Sequence, residues 1–197
     1  MLQELTNTTK KYILFDLDGT LIDSAAAILS GFDKVFNKHQ LVPTKKLDKH
    51  LIGPPLKETF INLLEKPSDK LINIMVEDFK FFYDSYDYKL SKLFPDIWNC
   101  LELLKNKNKV LIIVTNKRNV PTKKIMTHLS LDSFFKKSYS LDSFEPNMKS
   151  KSQLIKQVLS KELLNTDETI YIGDRIEDGI ASQNNNIEFI MVPWGYK

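Results

Sequence analysis

The sequence predicts an α/β protein built on a doubly wound, mainly parallel sheet with an α-helical domain inserted into it. Three observations predict this. Short runs rich in Ile, Val, Tyr and Phe recur along the chain, and the strongest are almost continuously apolar, the pattern of strands covered on both faces. Amphipathic helical stripes separate the later runs, as in a sheet whose parallel strands are joined by helices. Between the first and second runs lie about seventy residues with helical patterns only, too many for a simple crossover.

The runs fall at 12–15, 110–114, 169–172 and 189–192, with a weaker one around 138–141. Between them Ile97, Leu101 and Leu104 form one helical stripe; Ile125, Met126 and Leu129 form a second, and Leu154, Ile155, Val158 and Leu159 a third. Asn184-Asn185-Asn186 suits a helix C-terminus. In the insert, no strand is expected between residues 23 and 93. Ile28, Phe32, Val35 and Phe36 mark a helix, and Leu56, Phe60, Leu63 and Leu64 mark another after the turn Gly53-Pro54-Pro55. A long third helix is read with Leu71, Met75, Phe79, Phe82 and Tyr86 on its apolar face, packing the insert's own core. With hinges near 21–23 and 92–95, residues 1–21 and 94–197 form the expected core and 22–93 the insert.

Composition sets the outer limits. The chain has 197 residues, 42% hydrophobic and 27% charged, ordinary for one large domain or a core with one insertion. The longest apolar run among the strand-like stretches, Val110 to Val114, is far short of a membrane span. No apolar stretch precedes the first lysines, so no secretory signal is expected. Cys100 is the single cysteine, which excludes an internal disulfide and, with three scattered histidines, a Cys/His metal site. A cytoplasmic protein is expected. The net charge is +3, but Arg118 and Arg175 are the only arginines and the lysines are interleaved with acids. That is a solvated surface rather than a nucleic-acid face, so neither nucleic acid nor membrane is an expected partner.

The chemistry concentrates at strand ends. Phe15-Asp16-Leu17-Asp18-Gly19-Thr20-Leu21 directly follows the first apolar run. In open parallel sheets ligands bind beyond the carboxyl ends of strands, where Asp16 falls, and Gly19 permits a sharp turn there. Two carboxylates so close in sequence favour a bound cation or a shared proton. A second acidic pair, Asp174 and Asp178, follows the run at 169–172. Asp178 also reads as a cap on the helix that follows, whereas Asp174 sits at a strand end facing the same edge as Asp16. Two such acids make a hard oxygen site of the kind Mg²⁺ takes. Thr115, Asn116 and Lys117, after the run at 110–114, suit phosphate oxygens or form an ordinary turn. Lys149 and Lys151, ahead of a helix, are both candidates for offsetting the accumulated negative charge.

In this order, these residues resemble the haloacid-dehalogenase-like superfamily of phosphohydrolases. Asp16-x-Asp18-Gly19-Thr20-Leu21 is similar to the first motif, Thr115-Asn116 to the second, Lys151 to the third and Gly173-Asp174-x-x-x-Asp178 to the fourth. The insert lies where members with a helical cap carry it. Ile52-Gly53-Pro54-Pro55-Leu56, Thr20-Leu21-Ile22-Asp23-Ser24 and Trp194-Gly195-Tyr196 resemble the phosphoglycolate-phosphatase-like branch.

The resemblance implies a Rossmann-like core and a Mg²⁺-dependent phosphatase of a small phosphorylated metabolite, working through an aspartyl-phosphate. It implies Asp16 as nucleophile and Asp18 as general acid, then base. Thr115, Asn116 and Lys151 would hold the phosphoryl group. Asp16, Asp174 and the Asp18 carbonyl would hold the metal, supported by Asp178, with Gly19 and Thr20 shaping the turn. Lys151 rather than Lys149 matches the branch's spacing from lysine to helix stripe. The insert would act as a lid that selects substrate, with the Gly53-Pro54-Pro55 loop as the candidate reaching segment. A phosphomutase or a phosphorylatable binding module is the alternative reading. One departure is the end at Lys197, where relatives continue through a further helix, so one side of the sheet is expected to be less covered.

Overall fold

The computed structural model describes residues 8–196. The expectations about a leader and about the last residue fall partly on residues 1–7 and 197, which lie outside the described residues. The described chain divides into two compact units, one of 24–91 with Tyr196, the other containing the flanking segments.

The larger unit is built on a five-stranded sheet in the order β5-β4-β1-β6-β7. Its strands are β1 (Tyr12–Phe15), β4 (Val110–Thr115), β5 (Lys137–Ser140), β6 (Thr169–Gly173) and β7 (Glu188–Met191). Every pairing in it is parallel. From β1 the chain moves outward through β4 to β5, then returns to the other side of β1 for β6 and continues outward to β7. The direction of winding therefore reverses between β1 and β6. Connecting helices diverge at such a point and leave a crevice beyond the carboxyl ends of the two strands, where Asp16 and Asp174 follow directly.

Both faces of the sheet are covered, which is why its central strands read as unbroken apolar runs. Leu14, Ile112, Val114, Tyr139 and Tyr171 face one layer with Leu154, Ile155 and Val158 of helix α6 (Lys151–Lys161) and Ala181 of α7 (Ile176–Gln183). The alternate residues, including Ile13, Phe15, Ile113 and Ile172, are buried on the opposite side. There Phe15 and Ile172 border the same small internal space as Ile97 and Leu101 of α4 (Ile97–Asn106). Helix α5 (Asn119–His128) joins β4 to β5 and buries Ile125 and Met126. Asn184 caps the end of α7, and Asn186 takes a left-handed φ of 53° just beyond.

The smaller unit holds α1 (Ala25–Lys38), α2 (Leu56–Leu63) and α3 (Asp69–Ser85). Its core is aromatic: Phe32 meets Phe60 and Phe79 with ring centroids 5.2 and 4.9 Å apart. Asp87 is buried against Lys34 and accepts from Ser30 Oγ at 3.0 Å.

Two expectations are corrected here. The apolar face of α3 is Ile72, Met75, Phe79 and Tyr83, while Tyr86 is exposed at the helix end. The helix is apolar around most of its circumference, so the aromatic spacing alone picked a stripe rotated away from the packed one. The absence of strands between 23 and 93 also fails at its edges. β2 (Ile22–Asp23) pairs antiparallel with β3 (Lys92–Leu93), so both connecting segments close as a short ribbon. Two residues per strand are too few to show a period in the sequence. No helix among the described residues is long and apolar enough to cross a membrane.

Candidate active site

Asp16 follows β1, and its backbone N–H donates to Ile172 O at 2.9 Å, extending the β1–β6 ladder to the carboxylate. The chain then turns through Gly19, whose φ of +79° is left-handed. A Cβ there would lie 2.2 Å from Asp174 Oδ2, so the position excludes a side chain both by conformation and by contact. At Gly195 a Cβ would lie 2.1 Å from that of Asp174. Thr20 Oγ1 donates to Asp174 Oδ1 at 3.5 Å, and Trp194 Nε1 donates to Thr20 O at 3.0 Å. Asp174 is fully buried in this cradle.

Lys151 opens α6, and Ser150 fixes the start by accepting from Gln153 N–H at 3.3 Å. A helix N-terminus repels a cation, and a lysine is seldom buried, yet Lys151 is 7% exposed. Its surroundings explain it. Nζ lies 2.8 Å from Asp178 Oδ1, 2.9 Å from Asp16 Oδ1 and 3.0 Å from Tyr171 Oη. The Asp16 contact is an ion pair without hydrogen-bond alignment, and among the described residues no hydrogen bond is directed at that buried oxygen. Lys149, by contrast, is exposed.

Asp178 does two jobs. Its Oδ2 accepts from Arg175 N–H at 3.2 Å, a capping contact at the start of α7, while Oδ1 faces Lys151. The same carboxylate thus caps α7 and pairs with Lys151.

Carboxylate oxygens of Asp16, Asp174 and Asp178 lie within 4.8 Å of one another. Three carboxylates against the single Lys151 ammonium leave two negative charges in a buried, all-oxygen cluster, which fits a divalent cation. Burial pushes the Asp16 carboxyl up to about 7, with Asp178 and Asp18 adding to the rise and Lys151 opposing it. Desolvation works against the Lys151 ammonium, but Asp16 and Asp178 hold its pKa well above the ordinary value.

Asp18 is half-buried, and Lys117 Nζ donates to both its carboxylate oxygens, at 3.0 and 3.2 Å. Thr115 is buried at the end of β4 and accepts from Lys117 N–H at 3.2 Å, which curls the turn back toward the strand. Asn116 is exposed on that turn.

Two features escape a reading of the sequence. Lys117 was grouped with phosphate-binding groups, but its ammonium pairs with Asp18. Tyr171 looked like another apolar strand residue, yet its hydroxyl touches Lys151. The signal available for Tyr171 is a tyrosine in a fully buried parallel strand, whose O–H must find a partner.

A doubly wound parallel sheet with acids and a buried lysine at its switch point defines an α/β enzyme core of the phosphoryl-transfer type. The chain belongs to the haloacid dehalogenase-like hydrolase family, which it matches over residues 13–192. It is 31% identical to phosphoglycolate phosphatase of Aquifex aeolicus, over 94% of this chain and 86% of that protein. It is 28% identical to pyrophosphatase PpaX of Oceanobacillus iheyensis, over 94% of this chain and 84% of that one. Among solved structures it is similar to a haloacid dehalogenase-like family hydrolase from Streptococcus pneumoniae, with a TM-score of 0.84 and 28% identity. That match covers 95% of this chain and 86% of the other.

Proposed function

We propose that the chain is a Mg²⁺-dependent phosphatase that hydrolyses a small phosphorylated metabolite through an aspartyl-phosphate on Asp16. The observation that carries this reading is the buried Asp16 carboxylate, set beside Lys151 and Asp174 at the sheet's switch point. Asp16 and Asp174, with the backbone carbonyl of Asp18, are the residues that would hold the ion, and Asp178 supports them. When bound, Mg²⁺ supplies the positive charge that lets an anionic nucleophile meet an anionic phosphate.

Lys151 adds a second positive charge and holds the phosphoryl oxygens together with Thr115. Asp16 then attacks phosphorus, and Asp18 gives its proton to the departing oxygen. In the second half Asp18 takes a proton from water as that water attacks the Asp16 ester, which restores the free carboxylate. Dividing hydrolysis this way replaces one difficult step with two easier ones. Lys117 faces both Asp18 oxygens, so one of these two bonds opens when Asp18 carries the proton that it gives to the departing oxygen. Residues 22–93 serve as the cap of the same enzyme, where substrate choice varies.

Relatives named for phosphoglycolate and pyrophosphate support a small, densely charged substrate. The test is phosphate release across a panel of phosphorylated metabolites with and without Mg²⁺, with Asp16→Asn as control. Release that depends on Mg²⁺ and disappears in the control supports the reading; release unaffected by Asp16→Asn refutes it. Asp18→Asn is expected to cripple turnover. Substitutions around Gly53-Pro54-Pro55 are expected to change which members of the panel are cleaved.

A further inference from the structure

We propose that Tyr171 is a positioning residue of this site: its phenol oxygen fixes the Lys151 ammonium and ties it to the end of β4. The proposal rests on the phosphatase reading for its catalytic consequence, although the contact itself does not.

The polarity of the Tyr171 hydroxyl is forced. It lies 2.6 Å from Val114 O, and a carbonyl can only accept, so the phenol proton is committed there. A lone pair is then presented to Lys151 Nζ at 3.0 Å, from an ammonium that can only donate. The side chain is fully buried, so no water competes for either bond. β6 and β4 are not neighbours: β1 runs between them, and Tyr171 is in register with Leu14. The ring therefore crosses over β1 to reach β4. Val114 immediately precedes Thr115, the residue proposed to hold the phosphoryl group. One hydroxyl thus links the strand bearing Thr115, the strand leading to Asp174 and the first residue of α6.

A neutral acceptor suits this position. Lys151 already faces two carboxylates, and a third anion would cancel the charge it offers to phosphate. A phenol instead takes one N–H without adding negative charge. Phenylalanine would fill the same space, and the ring's contact with Nζ, 5.5 Å from the centroid, would persist. Only the aim of the ammonium would be lost.

The experiment compares wild type with Tyr171→Phe and with Tyr139→Phe. Tyr139 is buried on the same face of the sheet, but its hydroxyl pairs with Glu162. Three quantities are read: phosphate-release kinetics, the inhibition constant for orthovanadate, and the side-chain ammonium signal of Lys151 by ¹⁵N–¹H NMR. A hydrogen bond to a charged group predicts a fall in kcat of about 10- to 100-fold in Tyr171→Phe, with KM changing less than about threefold. The vanadate constant should rise by a similar factor, a per-molecule effect that a reduced folded fraction would not produce. The ammonium signal should move or vanish through faster exchange. Tyr139→Phe should change none of the three. Should Tyr171→Phe fail to fold, 3-fluorotyrosine at position 171, which weakens the acceptor but keeps the hydroxyl, should give smaller changes in the same direction. Wild-type kcat and an unmoved ammonium signal in Tyr171→Phe would overturn the proposal, as would an equal effect of Tyr139→Phe. Wild-type protein that releases no phosphate would instead remove the phosphatase reading, with the NMR signal still deciding the contact.

Discussion

Replacing Lys151 with methionine keeps most of the side chain's length and removes only its charge and donors. The structure fixes what is left behind: two buried carboxylates that had an ammonium at 2.8 and 2.9 Å, and a buried phenol oxygen that had one at 3.0 Å. Removing one partner of a buried ion pair costs about 3–5 kcal/mol, because the other charge stays buried. For a chain of this size each kcal/mol lowers the melting temperature by about 2–4 °C, so a fall between about 6 and 20 °C is expected. The deficit depends on pH in a definite direction. Asp16 has its pKa raised by burial to about 7, against 3.8 in an unburied carboxyl, so the folded state keeps a proton that the unfolded state has lost. Such a group destabilises increasingly as pH rises through that window. Removing Lys151, which opposes the rise, moves the folded-state value higher still. The deficit in Lys151→Met should therefore be small near pH 4 and grow through pH 7 and above. Both tryptophans, Trp98 and Trp194, belong to the larger unit, so their fluorescence during heating reports that unit. The measurement is made with a chelator present, so that divalent ions do not mask the effect. A fall under about 2 °C, or a deficit that does not grow with pH, would refute the reasoning.

Three further outcomes follow from other parts of the molecule. Mg²⁺ is expected to raise the melting temperature of the wild type, and Gly19→Ala, which forces a Cβ to within 2.2 Å of Asp174 Oδ2, should abolish that rise; an undiminished rise would take Asp174 out of the proposed ion site. Glu162→Gln should lower the melting temperature at pH 7. Hydrogen bonds from Lys136 and Tyr139 depress the Glu162 carboxyl from 4.5 to about 2, so its contribution is present above 4.5 and disappears as pH falls toward 2. Wild-type and variant melting curves should converge across that interval. Phe32→Ala removes the ring that meets Phe60 and Phe79 and should cost the helical unit about 3–5 kcal/mol. Hydrogen exchange should quicken in α1 and α3 while amides of β1 and β4 keep their protection; uniform loss across both units would contradict this.

The parts of the fold that were readable are those where one physical rule acts alone. Val110 to Val114 announces a strand because a parallel strand is apolar on both faces, and Asp16 stands out because an acid directly after such a run has no packing reason to be there. The third helix misled because its aromatic residues occupy more than one face, so spacing could not choose between Phe82 and Tyr83. Lys151 is one of many lysines, and a cation at a helix start is locally unfavourable. Resemblance singled it out over Lys149, and its physical justification, carboxylates brought from the end of β1 and from α7, exists only after folding. Tyr171 and Lys117 were hidden for the same reason. Tyr171 reads only as part of the run at 169–172 and Lys117 as part of a turn, and their partners arrive from elements 57 and 99 residues away.

What these residues share is a local disadvantage that is reversed by the assembled site. Asp16 is buried, Lys151 opposes a helix dipole, and Gly19 and Gly195 give up packing so that Asp174 can occupy the space their side chains would fill. Exceptions of this kind concentrate at functional sites because the fold must offset them with interactions that only function maintains. The charge count says what the offset is. With Asp18 neutralised by Lys117, the cluster of Asp16, Asp174, Asp178 and Lys151 retains two negative charges. A divalent ion brings it to zero, and an incoming phosphate dianion then restores the same two negative charges, now partly on the substrate. A variant that removes two of the three acids, Asp178→Asn combined with Asp16→Asn, should for the same reason lose any response to Mg²⁺, and it should be destabilised in chelator because the buried Lys151 ammonium loses both of its carboxylate partners.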